Sequence, residues 1–168
     1  MHQLIRTLFP QGGELAIDAT LGNGHDADFL AGLFGEVIAI DLQQSCIDEY
    51  QSPPNVRKYC MNHSKIEGFN AKPDIIVYNL GYLPGADKSI TTQAGTTIES
   101  LRQALEMIRP GGIILVALYY GHDGGKEAEA VLDFLAGIPT DCFGVMHHVF
   151  LNRGNTPPSL VMIERKRG

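Results

Sequence analysis

The sequence contains no apolar run longer than the eight residues Ile113–Tyr120, whereas a bilayer span needs about 20 apolar residues. At the N-terminus, Met-His-Gln-Leu-Ile-Arg-Thr-Leu-Phe-Pro-Gln-Gly-Gly lacks a charged stretch followed by a long apolar one, so no secretory signal is read there. Cysteine is scarce: Cys46, Cys60 and Cys142 are odd in number, far apart and free of any CxxC or Cys/His ligand spacing. A disulfide scaffold and a structural zinc site are thereby excluded, and reduced thiols without a metal are expected. Internal repeats, low-complexity tracts and blocks of like charge are missing as well. With 44% hydrophobic and 19% charged residues, the chain is neither disordered, fibrous nor membrane-embedded. The 168 residues suit a single domain spanning positions 1–168, expected to be soluble and cytoplasmic.

What is present is a regular alternation. Short apolar runs at Leu15–Ala19, Glu36–Ile40, Val56–Cys60, Ile75–Tyr78, Ile113–Leu118, Cys142–Phe150 and Leu160–Ile163 read as seven strands, bounded by Gly, Pro, Asp or Asn. Between them, Asp26–Leu33, Gln43–Tyr50, Thr96–Ile108 and Lys126–Leu135 carry helical spacing. Arg109-Pro110-Gly111-Gly112 stops the third of these. Such alternation predicts a mainly parallel, doubly wound α/β sheet. Only nine residues separate Phe150 from Leu160, too few for a crossover helix, so the last two strands are predicted to form an antiparallel hairpin. A Rossmann-like sheet ending in such a hairpin is the layout of the class I methyltransferase fold.

The strongest local signal is Asp18-Ala19-Thr20-Leu21-Gly22-Asn23-Gly24-His25-Asp26-Ala27, a glycine-rich loop between a strand and a helix. Gly22 and Gly24 permit a sharp turn and close approach of a ligand to the backbone. With Ala27 they also satisfy the GxGxxG/A pattern of dinucleotide-binding folds, and Asp41, 23 residues past Asp18, stands where either cofactor would offer ribose hydroxyls. The glycines do not decide between cofactors. Asp18 favours S-adenosylmethionine, because a carboxylate there suits an aminoacyl group and repels a pyrophosphate. Asp18, Thr20, Gly22, Asn23, Gly24, Asp26, Asp41, Gln43, Asn62 and His63 are therefore assigned to the cofactor, with Asn62 placed to meet the adenine edge. For Asp41 the plainer alternative is a cap for the helix that follows it.

After the fourth strand, Asn79-Leu80-Gly81-Tyr82 would project into the crevice at the carboxyl ends of the strands. It resembles the Asn-Pro-Pro-Tyr signature of amino-group methyltransferases, departing from it at both central positions. In that signature the Asn amide oxygen and a neighbouring backbone carbonyl accept hydrogen bonds from the substrate amine. Four stretches carry a wider resemblance: positions 18–26, Asn79 to Lys88, Tyr120-Gly-His-Asp-Gly-Gly-Lys-Glu127, and Asn155-Thr-Pro-Pro-Ser-Leu160 with Ile163 to Lys166. On these, nearly the whole chain resembles the small rRNA methylases of the YtqB type, associated with MnmM-like tRNA methylation. The resemblance implies methyl transfer from S-adenosylmethionine to the aminomethyl nitrogen of 5-aminomethyl-(2-thio)uridine at the tRNA wobble position. Two departures are a short segment ahead of Asp18, where the family has a longer helical cover over the cofactor, and Asn62 in place of an acidic residue.

An alkylamine with a pKa near about 10 is protonated at neutral pH, so its proton must leave before it can attack. Asn79 and the Leu80 carbonyl are expected to hold the amine, Tyr82 or Tyr119 to pack on the uracil, and His122 to accept a proton. Lys88, Tyr119, Gly124, Gly125, Arg153 and Asn155 are assigned to the substrate side. For Tyr119 the alternative is a core residue, and for His122 with Asp123 a cap of the following helix. His147 and His148, on adjacent strand positions, face opposite ways and are read as structural or surface residues. A net charge of −6 requires local basic patches if the partner is the anticodon loop of a tRNA, and Arg165-Lys166-Arg167 is the conspicuous one. A homodimer would double that surface. The competing readings are methylation of another RNA nucleoside or a small amine, an NAD-binding oxidoreductase, and a non-catalytic cofactor-binding scaffold.

Overall fold

In the computed structural model, which describes residues 1–80, 94–120, 124–154 and 157–168, seven strands form one sheet. They are β1 (Gly13–Asp18), β2 (Phe34–Asp41), β3 (Val56–Cys60), β4 (Ile75–Asn79), β5 (Ile113–Leu118), β6 (Phe143–His148) and β7 (Ser159–Arg165). Their order is β3-β2-β1-β4-β5-β7-β6, with β7 antiparallel to both of its neighbours and the other pairs parallel. This is the class I methyltransferase sheet that the strand spacing and the short final connection predict.

Side-chain alternation along the strands builds a core on each face. Ala16, Val37, Val77 and Leu115 pack with Ile5 of α1 (His2–Leu8), Leu30 of α2 (His25–Ala31) and Ile47 of α3 (Gln44–Glu49). Their strand neighbours Ile17, Ile38, Tyr78 and Val116 point the other way, onto Leu101 of α4 (Ala94–Met107), Val131 of α5 (Lys126–Ala136) and Ile66 of a 3-10 helix, His63–Phe69. Because both faces are covered, the central strands read as nearly continuous apolar runs.

Two elements escaped the periodicity. At seven residues, α1 is too short to be stable alone and depends on tertiary contacts: Ile5 is buried, and the His2 ring stacks on Phe29 at 3.9 Å. The 3-10 helix is held from outside, by Asn62 Oδ1 accepting from the Ser64 amide at 2.9 Å and by the Ser100 hydroxyl donating to the His63 carbonyl at 2.8 Å. Edges also shift. Helix α2 ends at Ala31 with Gly32 as its cap, short of the expected Leu33, and β6 ends at His148 rather than Phe150.

The C-terminal basic cluster does not serve the substrate end. Arg165 donates to the Ile108 and Glu106 carbonyls at 2.8 and 3.2 Å, and Lys166 to the Thr140 carbonyl at 2.5 Å. Glu164 pairs with Ile113 at the start of β5, so these cations sit at the opposite end of the sheet from the strand tips. They satisfy carbonyls that would otherwise be left open at the end of α4 and in the turn before β6. Among the described residues, no helix is long and apolar enough to cross a membrane.

At that same end Asp74, 4% exposed, joins three elements. Its Oδ2 accepts from the amides of Glu14 and Leu15 at 2.7 and 2.8 Å, and its Oδ1 pairs with Arg109 after α4. Asp74→Ala is expected to destabilise the fold by about 3 kcal/mol, because it leaves two part-buried amides and a guanidinium without their acceptor. Urea denaturation showing a loss under about 0.5 kcal/mol would mean that water replaces the carboxylate.

Candidate cofactor and substrate site

The crevice forms where β1 and β4 lie side by side while their onward connections diverge, since β1 continues to β2 on one side and β4 to β5 on the other. Asp18 pairs with Val77, so the tips of the two strands end next to each other. The loop after β1 is anchored by backbone bonds from Ala19 to the Val77 carbonyl and from Leu21 to the Ile40 carbonyl. Gly22 and Gly24 take the left-handed conformation, with φ of 51° and 81°. At Gly24 a Cβ would lie 2.3 Å from the Tyr50 ring, which covers the loop and donates its hydroxyl to Asp28 at 2.8 Å. The sequence reading missed Tyr50, which it took only as the end of a helix.

Asp41 serves the loop and the next helix together. Its Oδ2 accepts from the Gly22 amide and its Oδ1 from the Gln43 amide, both at 2.8 Å, and Gln43 is the N-cap of α3. Asp41 thus fixes the loop to the residue that opens α3, and lone pairs remain on both of its oxygens for ribose hydroxyls. Asn62 is occupied through its oxygen as the cap of the 3-10 helix. The His63 ring is buried, stands edge-on to Tyr78 at 5.9 Å and has no hydrogen-bond partner for Nδ1 among the described residues.

Asp18 is fully buried; one oxygen accepts from the Thr20 amide at 3.1 Å and the other has no partner among the described residues. Burial, reinforced by the nearby charges of Asp26 and Asp41, raises its pKa to about 8. An orphaned buried oxygen beside two further carboxylates suits a cationic ligand such as S-adenosylmethionine, and a pyrophosphate would be repelled. Asp18, Asp41 and the glycine loop thus fit that cofactor.

The raised pKa carries a sign. Between its unfolded value near 3.8 and its folded value of about 8, Asp18 is ionised in the unfolded chain and protonated in the fold. Deprotonation therefore favours unfolding across that window, and stability falls as pH rises through it. Asp18→Asn is expected to match the wild type near pH 4 and to exceed it near pH 8, by on the order of a few kcal/mol, in the absence of cofactor. Parallel stability curves for the two proteins across this range would show that Asp18 is ionised throughout.

Beside the loop opens a cavity of about 1020 Å³, lined by Asp26, Asn79, Tyr119, His148, Phe150 and Arg153 and by the start of α1. The Asn79 amide donates to Thr20 Oγ1 at 2.7 Å, tying the tip of β4 to the cofactor loop, and its side chain is exposed to the cavity. Leu80 is buried, with its amide on the Ala117 carbonyl at 3.1 Å. Tyr119 is 40% exposed and lines the cavity, so the core alternative does not hold. Its hydroxyl is pushed up in pKa by partial burial and by Asp26. Arg153 stacks over Phe150 at 3.8 Å from the ring centroid, and the exposed Phe150 was not foreseen. His147 bonds the Ser159 hydroxyl at 2.8 Å, while His148 faces the cavity. Gly124 and Gly125 have φ of 73° and 85°, and Gly125 is the N-cap of α5 with no side-chain cap. Tyr82, Lys88, His122 and Asn155 lie outside the described residues. No metal-ligand cluster occurs among the described residues.

Comparisons with known proteins agree with this geometry. The family described as "Putative rRNA methylase" matches residues 37–164. A crystal structure of a "putative rRNA-methylase" from Clostridium thermocellum is 38% identical, with a TM-score of 0.92 covering 98% of this chain and 94% of that one. A "putative methyltransferase" from Streptococcus mutans, solved in complex with SAH, is 36% identical with a TM-score of 0.88, covering 97% and 96%. The chloroplastic tRNA (mnm(5)s(2)U34)-methyltransferase of Arabidopsis thaliana is 34% identical over 93% of this chain, which spans 65% of that protein's length. The chain belongs to the rRNA methylase family, a family of S-adenosylmethionine-dependent methyltransferases.

Proposed function

We propose that this protein transfers a methyl group from S-adenosylmethionine to an amine on RNA, namely the aminomethyl nitrogen of 5-aminomethyl-(2-thio)uridine at the tRNA wobble position. The observation that carries this reading is the place of Asn79, exposed in the cavity while its backbone is fixed to the cofactor loop through Thr20. A side chain so placed is held between the two reactants. The Arabidopsis relative named for this tRNA nucleoside supports the choice of substrate.

The bound cofactor supplies an electrophilic sulfonium methyl, and the transfer needs nitrogen, carbon and sulfur in line. The protein's contribution is chiefly orientation, which can account for a large share of such a barrier. Asn79 Oδ1 and the Leu80 carbonyl accept amine hydrogens and direct the nitrogen lone pair toward the methyl. Tyr119 stacks on the uracil, and Arg153 with Phe150 forms a cation-backed ring at the rim for an unpaired base. Burial in this cavity beside a cationic sulfonium lowers the amine's pKa and favours the neutral nucleophile. To His122 we assign acceptance of the amine's proton on its way to solvent, and to Tyr82, Lys88 and Asn155 the substrate side, on the sequence alone.

Methyl-labelled S-adenosylmethionine should pass label to tRNA from cells that lack this activity, with the methylaminomethyl nucleoside found by mass spectrometry. Label appearing only in ribosomal RNA or in a small amine would replace the substrate proposed here. Asn79→Ala is expected to slow single-turnover transfer by roughly 2–4 kcal/mol of barrier while cofactor affinity changes little. Equal losses in both measurements would make Asn79 a cofactor ligand.

A further inference from the structure

We propose that Asp26 is the subsite that recognises the substrate amine in its ammonium form as it binds, oriented by His2, the proton leaving to solvent before the neutral nitrogen attacks. The assignment rests on the functional reading above. Asp26 follows the cofactor loop in sequence, and by that position alone it belongs with the cofactor. Its side chain turns elsewhere. Asp26 lines the cavity with Asn79, Tyr119 and Arg153, whereas Asp18, Gly22 and Asp41 are not part of that lining. Asp26 Oδ2 accepts from Asn79 Nδ2 at 3.3 Å, so the Asp26 carboxylate and the Asn79 amide adjoin on the cavity wall.

The other carboxylate oxygen is held by His2, whose Nε2 lies 2.6 Å from Asp26 Oδ1. His2 is fixed in turn by its stack on Phe29, interplanar angle 3°, and Arg6 lies over the same ring at 5.0 Å. A side chain in the first turn of α1 thereby sets the rotamer of a carboxylate 24 residues away. The charged and titratable groups around the pair include the amino group of Met1, Arg6 on α1, Asp18 at the tip of β1, Tyr119 after β5, and His148 and Arg153 at the hairpin. Arg153 and His148 suit the phosphate and base of an RNA strand. Among the described groups lining the cavity, Asp26 is the one carboxylate, and an aminomethyl nucleoside brings the matching ammonium. Asp26 would thus distinguish the aminomethyl base from plain uridine, and His2 acts through it as a positioning residue.

The test uses the full chain saturated with S-adenosylhomocysteine, and two anticodon stem-loop hairpins with either 5-aminomethyluridine or uridine at the wobble position. Fluorescence anisotropy gives the affinity for each, and calorimetry gives the affinity for S-adenosylhomocysteine. Wild type should prefer the aminomethyl hairpin by roughly tenfold or more, as expected for one charge-assisted hydrogen bond. Asp26→Asn, of the same shape, should abolish the preference and leave affinities for the uridine hairpin and for S-adenosylhomocysteine unchanged. His2→Ala should shrink the preference, and His2→Gln, which keeps a donor near the place of Nε2, should restore it. A preference that survives Asp26→Asn overturns the subsite alone, and a loss of S-adenosylhomocysteine affinity in that variant makes Asp26 a cofactor ligand. Equal behaviour of His2→Ala and His2→Gln overturns the role of His2. No preference in the wild type overturns the wobble-nucleoside reading and the subsite with it.

Discussion

Parallel pairing of β1 with β4 runs from Ala16–Ile75 to Asp18–Val77, and it brings together two strand tips that are about sixty residues apart in the chain. Everything at the site follows from that adjacency. Because β1 leads on to β2 and β4 to β5, on opposite sides of the sheet, a crevice opens at the tips between them. The Asn79 amide meets Thr20 Oγ1 because β1 and β4 are neighbours. The bond couples the loop that fits the cofactor to the wall of the cavity, so a shift in one moves the other. Precision of this kind is what an in-line transfer requires of its protein, since a displacement of about 1 Å is costly when orientation is the main source of rate.

Charge at the crevice is sorted by depth. Asp18, Asp26 and Asp41 gather at the tips of β1 and β2 and at the start of α2, close enough that two of them raise the pKa of the third. A positively charged cofactor beside Asp18 and Asp41 would relieve part of this repulsion, and those two carboxylates would disfavour a nucleotide phosphate there. The rim carries the opposite sign. Arg153, stacked on Phe150, and His148 stand where a nucleic acid would enter. An overall charge of −6 is compatible with RNA on this arrangement, because an unpaired base is held by stacking and edge contacts more than by a long phosphate track. The basic C-terminus contributes nothing there, as Arg165 and Lys166 are bound to carbonyls at the far end of the sheet.

Stability and function draw on opposite ends of the same strands. At the amino ends, Asp74 is saturated with donors from β1 and with Arg109, and its charge is neutralised in place. At the carboxyl ends, Asp18 has an oxygen with no hydrogen-bond partner among the described residues and a pKa raised to about 8. A buried carboxyl in that state is destabilising at neutral pH, and such cost is commonly tolerated where a ligand is bound.

Much of this was legible in the residues themselves. Short apolar runs marked all seven strands, because a sheet covered by helices on both faces asks for apolar residues at nearly every position of its central strands. The nine residues between Phe150 and Leu160 forced the antiparallel hairpin, since no helix fits in them. Gly22 and Gly24 marked the loop, as positive φ favours glycine wherever it occurs. Other features had no local signature. Helix α1 is too short to show a period and exists through Ile5 and the stack of His2 on Phe29. Tyr50 covers Gly24, Asp26 turns from the cofactor loop into the cavity, and Arg165 caps α4 from 57 residues away. Each of these depends on where a distant segment comes to rest. Periodicity and turn chemistry act over a few residues and are carried by the sequence, whereas the partner of a side chain is chosen only when the sheet has closed and its two cores have packed.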